Sequence, residues 1–385
     1  MVNGGEAASP LPPPVVIGAG PAGLAVAATL ARHGVPCVVL DRAGSVGSAW
    51  QDRYDSLRLH SVRWLSGLPG LPIPRRYGRW VGRDDFVAYL QDYAERFEVY
   101  PEFGVEVRRL DRTGTTWTVQ TSHDRRAASA VVVATGYCRV PHLPDWPGRD
   151  TFPGVLLHSA DYRDPSPYAG REVLVVGAGN SAAEIAMEVA RVGARVHLSV
   201  RTPPNIIRRD TLGVPSQLFG VALHRAPERV MNPVATVLRR LSVPDLSGYG
   251  LPAPAGDGFT QFLRTRTVPI LDHGFVGAVR AGRIRVVANV ADVDGADVRL
   301  SDGSALRPDA VICATGYLTG LAPLVGHLGA LDERGLPRVH GAETLPHLPG
   351  LYFVGVSVDL AGLLREIGLE ARAVGRALAR DLQAA

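Results

Sequence analysis

Two glycine-rich stretches contain the residue types and the spacing that hold the phosphates of a dinucleotide. Gly18–Gly23 has the spacing Gly-x-Gly-x-x-Gly, and Gly177–Ala182 repeats it with Ala182 at the third position. In such a stretch the first glycine permits a tight turn, and the second lets the backbone approach a pyrophosphate. The third lets the following helix pack closely on its strand, and the helix N-terminus then holds the phosphates. The chain therefore contains two candidate dinucleotide sites.

The residues at the end of each following strand predict which nucleotide binds. Asp41 ends the first copy, where a carboxylate can accept hydrogen bonds from both ribose hydroxyls of an adenosine. The matching position of the second copy is Val200, followed by Arg201, which can pair with a 2′-phosphate, and Arg208–Arg209 are close enough in sequence to help. This pattern assigns FAD to the first site and favours NADPH over NADH at the second. Because Arg42 follows Asp41 in the first copy, the alternative that Arg201 is a solvated surface arginine stays open.

The residues between and around these sites do not have the pattern of a redox dithiol. Cys37, Cys138 and Cys313 are far apart and form no Cys-x-x-Cys, which excludes a zinc module and a disulfide reductase. Phe152–Tyr162 instead reads Phe-x-Gly-x-x-x-His-x-x-x-Tyr, with His158 at its centre. We expect His158 at a crossing between domains, where it could couple nucleotide binding to domain orientation. The alternative is an ordinary linker histidine with a satisfied hydrogen bond.

Both glycine-rich stretches occur within the same larger sequence pattern. Each copy predicts a buried strand, the glycine-rich turn, an alanine-rich helix stopped by Gly34 or Gly193, and a second strand. This is a β-α-β unit written twice. Val131–Tyr137 and Val311–Tyr317 both predict an apolar strand that ends in Ala-Thr-Gly-Tyr, one before and one after the second unit. The predicted fold class is α/β with two Rossmann-like dinucleotide-binding domains, the NADPH domain being inserted in the FAD domain.

This insertion gives the expected domain boundaries. Residues 1–13 are predicted to be a disordered leader, 14–165 the first part of the FAD-binding domain and 166–277 the inserted NADPH-binding domain. Residues 278–385 are predicted to be the second part of the FAD-binding domain. In 211–254, stretches of apolar helix-forming residues are broken by proline, which indicates a substrate-side subdomain or the cover of an interface.

The composition excludes several classes of function. With 385 residues, 46% hydrophobic and 20% charged, the chain has ordinary globular composition and is long enough for two domains. All 41 basic residues are arginines scattered among acids, which indicates a high-GC bacterial coding origin and not a nucleic-acid-binding surface. No apolar stretch reaches the roughly 18 residues of a membrane helix, and no signal peptide is recognisable. The few dispersed cysteines predict a cytoplasmic protein, and a homodimer is left open.

Over nearly its whole length the chain resembles the YUCCA-type branch of the class B flavin-dependent monooxygenases. The histidine motif described above matches the motif by which that class is identified. Trp50–His60 resembles the family segment that passes the flavin ring, with His60 where this branch carries histidine. Gly179–Glu184 resembles the second glycine-rich turn of the branch, and Gly350–Gly355 resembles the last strand before the helix beside the flavin. The following stretch, Ser357–Gly368, departs from the basic, Gly-Leu-rich pattern of the family, so the reaction on the substrate stays open.

The resemblance implies FAD and NADPH as cofactors and O2 as co-substrate. It implies that NADPH reduces the flavin, that a flavin C4a-hydroperoxide forms, and that a small organic substrate takes one oxygen atom from it. The reaction would be oxidation of a nitrogen or sulfur atom, or oxidative decarboxylation of a 2-oxo acid whose carboxylate Arg58 or Arg365 could hold. Tyr162 followed by Arg163 argues against Baeyer–Villiger chemistry. An NADPH oxidase, an electron-transfer flavin reductase and a non-enzymatic flavoprotein are the alternatives.

The candidate site residues follow from the two turns and from the resemblance. The polar groups expected beside the flavin or nicotinamide, and hence the catalytic candidates, are Tyr54, His60, His158 and Asn180. For His60, a hydrogen bond to the hydroperoxide or flavin edge and a purely structural role both stay open. The residues expected to bind the cofactors are Gly18, Gly20, Pro21, Ala22, Gly23, Asp41, Arg42, Trp50, Arg53, Leu59, His60, Val107, Ala134, Thr135, Gly136, Gly177, Gly179, Asn180, Ser181, Ala182, Glu184, Arg201, Arg208, Thr315, Gly316 and Tyr317. No metal site is expected.

Overall fold

The computed structural model of the chain describes residues 11–211, 213–223, 243–252, 268–356 and 359–384. Most of the expected leader and much of the 211–254 segment lie outside these residues.

The strands are β1 Val15–Ile17, β2 Val38–Asp41, β3 Glu102–Phe103, β4 Val107–Thr113, β5 Thr116–Thr121, β6 Arg125–Ala128, β7 Val131–Val133, β8 Val140–Pro141, β9 Val155–His158, β10 Glu172–Val176, β11 Arg195–Ser199, β12 Ile206–Arg208, β13 Asp210–Thr211, β14 Val214–Pro215, β15 Ile270–Asp272, β16 Ile284–Val287, β17 Val290–Asp294, β18 Asp297–Leu300, β19 Ala305–Leu306, β20 Ala310–Cys313, β21 Tyr317–Leu318 and β22 Leu351–Phe353. The α-helices are α1 Pro21–Arg32, α2 Ser48–Gln51, α3 Arg83–Arg96, α4 Asn180–Arg191, α5 Ser216–Leu223, α6 Phe275–Arg280, α7 Ala322–Val325 and α8 Leu363–Ala384. Short 3₁₀ helices lie at Arg63–Leu65, Arg75–Tyr77, Arg149–Thr151, Ser166–Tyr168, Ser247–Tyr249 and Gly326–Leu328.

The first sheet consists of five parallel strands in the order β22-β7-β1-β2-β3. Its central strands β1 and β7 are fully buried and consist of valine and isoleucine, as expected for parallel strands covered on both faces. Helix α1 begins with Pro21 directly after the first glycine-rich turn and packs against α8. The positions of the predicted strand, turn, helix and strand of the first unit are confirmed.

The second sheet consists of five parallel strands in the order β16-β11-β10-β20-β9. Its central strand β10 precedes the second glycine-rich turn, and α4 and β11 follow in the predicted order. Because the first sheet resumes at β22 after the whole second sheet has been formed, the second unit is inserted in the first. The α/β class with two Rossmann-like units is confirmed.

The second sheet extends beyond the insert boundaries expected from the sequence. Strands β9, β16 and β20 lie outside residues 166–277, yet they pair within this sheet. The two Ala-Thr-Gly-Tyr strands were expected to flank the insert within one host domain. Each lies instead beside its own glycine-rich strand, β7 beside β1 and β20 beside β10. The second sheet therefore takes its strands from 155–313, a wider span than 166–277.

In the described ranges five smaller groups of strands accompany the two sheets, one of them the antiparallel pair β13–β14. Strands β4, β5 and β6 form an antiparallel sheet, as do β17, β18 and β19. Strands β8 and β21 pair where the chain passes between the units. The parallel pair β12–β15 belongs to the segment after β11. Among the helices in the described ranges, none is long and apolar enough to cross a membrane.

The contact between α1 and α8 yields a test of the packing. A Cβ added to Gly375 would lie 2.4 Å from Cγ2 of the buried Thr29 on α1. We expect Gly375→Ala to lower the stability by a net of about 1–2 kcal/mol, because overpacking outweighs the gain in helix propensity. This corresponds to a fall of about 2–8 °C in the thermal unfolding midpoint Tm.

Gly368 on the same helix is the matched control. The nearest atoms to a Cβ added there are 3.8 Å away, at ordinary contact distance. Gly368→Ala should leave Tm unchanged or raise it by helix propensity. Equal Tm values for the two variants would contradict the close α1–α8 contact.

Candidate active site

A cavity of about 680 Å³ lies where the turns after β1, β2 and β7 meet the start of α4 and the segments on either side of β12 and β15. Ligands in open parallel sheets bind outside the carboxyl ends of the strands, and this cavity has that position. The predicted residues that line it are Gly18, Gly20, Pro21, Ala22, Asp41, Arg42, Trp50, Arg53, Tyr54, Leu59, His60, Val107, Ala134, Thr135, Gly136, Asn180, Ser181 and Tyr317.

Other predicted residues do not line this cavity. They are Gly23, His158, Gly177, Gly179, Ala182, Glu184, Arg201, Arg208, Thr315 and Gly316. Several lining residues were missed by the sequence reasoning, among them Tyr137, Cys138, Arg139, Ser159, Thr211, Ser216, Gln217, Phe219, Leu271, Leu360, Leu363 and Ile367. Most of these come from segments that carry no motif and reach the cavity only through tertiary packing.

The first glycine-rich turn has the shape that a pyrophosphate needs. Gly18 has a φ of +111°, and a Cβ there would lie 2.6 Å from the carbonyl oxygen of Ala134. A Cβ at Gly23 would lie 1.7 Å from the carbonyl oxygen of Gly18, whereas at Gly20 it would meet no atom within 4 Å. The first and third glycines are thus required by packing, and the second leaves an open backbone surface on the cavity wall. The turn fits a dinucleotide.

The second glycine-rich turn repeats this arrangement. A Cβ at Gly177, whose φ is +145°, would lie 2.3 Å from the carbonyl oxygen of Ala314, and Gly179 is open within 4 Å. Ala182 is completely buried, so its methyl group fits where the first unit has glycine. Each turn therefore packs against the alanine of its own Ala-Thr-Gly-Tyr strand. This contact explains why the two motifs occur together in the sequence twice.

Asp41 lies at the end of β2 and its carboxylate faces the first turn. Oδ2 accepts a hydrogen bond of 2.6 Å from the amide of Ala19, and Oδ1 accepts one of 2.8 Å from the amide of Ala43. A carboxylate has about four acceptor positions, so two remain for ribose hydroxyls. Asp41 thus fixes the turn and also lines the cavity.

A buried carboxylate on α4 links the two units. Oε1 of Glu184 lies 2.8 Å from Nε2 of His60, and the hydroxyl of Tyr54 donates to Oε2. His273 Nε2 lies 3.9 Å from Oε1. Burial opposes the ionisation of Glu184, but the charge and hydrogen bond of His60 and the hydroxyl of Tyr54 outweigh it, and the pKa of Glu184 is lowered. Two of the catalytic candidates are therefore held in place by a residue of the second unit.

The pKa of Glu188, one turn further along α4, is shifted in the opposite direction. The hydroxyl of Tyr162 donates a 3.0 Å hydrogen bond to its Oε2. Burial raises the pKa of Glu188, and the charge of Glu184 acts in the same direction against the hydrogen bond of Tyr162. Two glutamates on one helix thus differ in the protonation state that the fold favours.

The remaining two catalytic candidates bind backbone groups. His158 is buried; its Nδ1 accepts from the amide of Ala160 at 3.0 Å, and its Nε2 donates to the carbonyl of Gly316 at 2.9 Å. These bonds define a neutral ring, and burial lowers the pKa of His158. Asn180 donates to the carbonyl of Pro269 at 3.0 Å and accepts from the amide of Leu271 at 2.8 Å. Asn180 lines the cavity, whereas His158 lies behind it at the crossing between the units.

Two of the three arginines expected near the second nucleotide lie on the surface, whereas Arg209 is half-buried against Trp80. Arg201 follows β11 and Arg208 ends β12, and both are exposed. Arg365, one of the two candidates for holding a carboxylate, forms an ion pair with Glu366 and does not line the cavity. Arg58, the other candidate, does line it.

Comparisons with known proteins agree with this site. The family profile described as "Pyridine nucleotide-disulphide oxidoreductase" matches residues 15–212. The indole-3-pyruvate monooxygenase YUCCA1 of rice is 35% identical over 353 residues, which covers 90% of this chain and 86% of the relative. The solved flavin-containing monooxygenase from Stenotrophomonas maltophilia has a TM-score of 0.70 and 27% identity, over 96% of this chain and 99% of that one. OTEMO, solved with FAD and NADP, shares the fold with a TM-score of 0.73 at 17% identity, over 98% of this chain and 86% of that one.

The fold, the site and the family profile together define an oxidoreductase with two dinucleotide-binding units. Its three cysteines are free and form no disulfide. Within that class the chain belongs to the YUCCA-type flavin monooxygenases. As a member of this family it is an NADPH-dependent flavin monooxygenase with FAD and NADPH as cofactors, as predicted from the two turns and the resemblance. The homodimer that the sequence left open finds no support in these comparisons.

The pair of glutamates on α4 yields a test of the link between the units. An amide at position 184 cannot accept from both Tyr54 and His60, so Glu184→Gln should cost about 1–3 kcal/mol of stability at pH 7. The lowered pKa of Glu184 means that its contribution is present above the ordinary value of 4.5 and is lost as the pH falls through the folded-state pKa. The difference in Tm between wild type and variant should therefore shrink below about pH 4.5.

Glu188→Gln is the matched control. Because the fold favours the neutral form of Glu188, an amide that still accepts from Tyr162 should leave Tm at pH 7 unchanged or raise it. The proposed link would be wrong if Glu184→Gln were as harmless as Glu188→Gln.

Proposed function

We propose that this enzyme oxidatively decarboxylates a small 2-oxo acid with an apolar side chain. The observation that carries the proposal is the similarity, over nine-tenths of the chain, to a relative named as an indole-3-pyruvate monooxygenase. The cavity supports it, because Leu57, Phe219 and Leu363 offer apolar surface and Arg58 offers a cation for the carboxylate. Oxidation of a nitrogen or sulfur atom is the alternative to be tested beside it.

The reaction is balanced by the two cofactors and oxygen. One 2-oxo acid, O2, NADPH and a proton give the carboxylic acid shorter by one carbon, CO2, NADP⁺ and water. The carbon–carbon bond to the carboxyl group breaks, NADPH supplies two electrons, and one oxygen atom enters the acid. The bound flavin supplies the redox and oxygen chemistry.

The residues of the chain position these groups. We assign the flavin pyrophosphate to the turn at Gly20 and the nicotinamide nucleotide to the turn at Gly179, each at a helix N-terminus. Glu184 holds Tyr54 and His60 on the cavity wall between the two units. We propose that this buried link keeps the units together around the flavin and excludes water.

The test is anaerobic reduction of the FAD-loaded enzyme by NADPH, followed by rapid mixing with oxygen in the presence or absence of indole-3-pyruvate. We expect a flavin spectrum distinct from the oxidised form that persists without substrate and decays faster with it. Indole-3-acetate and CO2 should form in proportion to the NADPH consumed.

Thioanisole and a tertiary amine serve as comparison substrates in the same experiment. Oxygenation of these compounds without decarboxylation of indole-3-pyruvate would replace the proposal with heteroatom oxidation. Hydrogen peroxide equal to the NADPH consumed, with no oxygenated product from any of these compounds, would replace it with an NADPH oxidase.

Arg201 yields a test of the nucleotide preference. If its guanidinium pairs with the 2′-phosphate, Arg201→Gln should raise the KM for NADPH by roughly 10- to 100-fold and leave the KM for NADH unchanged. Arg195→Gln is the control, since Arg195 begins β11, the strand that Arg201 follows, and pairs with Glu172. An equal effect of Arg201→Gln on both nucleotides would mean that the arginine has no role at the 2′-phosphate.

The bacterial origin and cytoplasmic location indicated by the composition stay predictions. The relatives compared above come from rice and from a bacterium.

A further inference from the structure

Three arginines surround Trp80 beside the cavity. Arg58, which lines the cavity, donates a 3.0 Å hydrogen bond from Nη1 to the backbone carbonyl of Trp80. The guanidinium carbons of Arg209 and Arg79 lie 4.6 Å and 5.6 Å from the centre of the Trp80 ring. We refer to Arg58, Arg79 and Arg209 as the arginine cluster. Arg209 thus contacts the side chain of Trp80, and Arg58 binds the backbone carbonyl of the same residue.

The positive charge of the arginine cluster is not neutralised by ion pairs. Within the described part of the chain, none of the three arginines lies within ion-pair distance of a carboxylate. The Nε atoms of Arg79 and Arg209 are buried and have no hydrogen-bond partner, which is unfavourable for a donor. Burial lowers the pKa of Arg209, and the charges of Arg58 and Arg79 lower it further against the effect of Asp210 and Glu184. An anion would relieve this accumulation of like charge.

The arginine cluster lies where the first unit meets the segment after β12. The amide of Ser216 donates to the carbonyl of Arg209 at 3.0 Å, and Nη2 of Arg79 donates to the carbonyl of Gly213 at 2.7 Å. Ser216 and Thr211, which lie on either side of this contact, both line the cavity. The cluster therefore adjoins the cavity through a wall built by both units.

The positions proposed for the nucleotides give no role to Arg58 or Arg79, and Arg209, which the sequence analysis offered as a helper at the 2′-phosphate, packs on Trp80. The two glycine-rich turns lie at the starts of α1 and α4, and Arg201 follows β11. Arg58 and Arg79 lie instead in a loop of the first unit, and Arg209 directly follows β12. Arg365, the other arginine considered for a carboxylate, is paired with Glu366. Guanidinium groups bind carboxylates with paired, charge-assisted hydrogen bonds.

We propose that the arginine cluster is the site that selects an acidic substrate: Arg58 contacts the carboxylate, and Arg209 positions Arg58 through Trp80. This inference rests on the proposed function, because it assigns the carboxylate of the same substrate. Arg209 acts as a positioning residue, and Arg79 adds positive potential. Neither has to touch the substrate.

The first test measures binding without turnover. Phenylacetate, a carboxylate that the enzyme cannot decarboxylate as a 2-oxo acid, and the uncharged ketone phenylacetone are titrated into the oxidised, FAD-loaded enzyme by calorimetry. We expect Arg58→Gln to weaken phenylacetate roughly 10- to 100-fold and to leave phenylacetone unchanged. Arg209→Gln should weaken phenylacetate binding about tenfold. Arg209→Lys, which keeps the charge but loses the planar group over the Trp80 ring, should recover only part of the affinity.

Arg76→Gln is the matched control. Arg76 is an exposed arginine near Arg79 in the sequence, and its guanidinium binds the hydroxyl and ring of the neighbouring Tyr77, so removal of its charge should not change either affinity. Added salt should weaken phenylacetate binding in the wild type and in Arg76→Gln more than in Arg58→Gln, because the ionic contact is screened.

Several results would overturn the proposal. These are absence of phenylacetate binding to the wild type, unchanged phenylacetate affinity in both Arg58→Gln and Arg209→Gln, or equal weakening of phenylacetate and phenylacetone. If Arg58→Gln and Arg209→Gln weakened the binding of 2′,5′-ADP instead of phenylacetate, the arginine cluster would be assigned to a nucleotide phosphate.

The two proposals can fail separately. Loss of phenylacetate binding in Arg58→Gln, together with a wild type that decarboxylates no 2-oxo acid, would retain the anion site and reject the proposed function. Decarboxylation of indole-3-pyruvate with an unchanged KM in Arg58→Gln and Arg209→Gln would retain the function and reject the site.

Discussion

The close approach of each glycine-rich turn to a neighbouring carbonyl group is the constraint on which the structure depends. Gly18 lies against the carbonyl of Ala134 and Gly177 against that of Ala314, at distances that no side chain permits. These contacts fix the strand beside each turn, β7 in the first sheet and β20 in the second. They also orient each turn so that its middle glycine, Gly20 or Gly179, is left open for a phosphate group. A fold with two nucleotide sites thus follows from two backbone contacts.

The second constraint is the buried carboxylate of Glu184. A charged group inside a protein is tolerated when hydrogen bonds and opposite charges surround it, and here both come mainly from the other unit. Glu184 on α4 binds both Tyr54 and His60, which lie on the cavity wall. The contact between the two units therefore also shapes the cavity wall. His158 nearby hydrogen-bonds two backbone groups and does not line the cavity.

The cavity combines these constraints with the surface that we propose selects the substrate. One wall consists of the turns that fit the flavin, and another of segments around β12, β15 and the start of α8. Because the cofactors supply the electrons and activate the oxygen, the protein needs no nucleophile or acid–base pair of its own. Its remaining task is to bind the correct molecule, and the arginines near Trp80 concentrate positive charge where that choice would be made.

The sequence by itself determined the two units, their cofactors and part of the cavity wall contributed by the first unit. Glycines at Gly18 and Gly20 and a carboxylate at Asp41 are local requirements of turn geometry and hydrogen bonding, so they are legible in a single stretch of chain. The boundaries of the insert, the partners of Glu184 and the contacts of Arg58 and Arg209 were decided by the tertiary structure. Strand order and contacts between distant segments depend on which surfaces pack together, and no local spacing encodes that. For the same reason His158, which is part of a clear motif, proved to lie behind the cavity, while Gln217 and Leu363, which belong to no motif, line it.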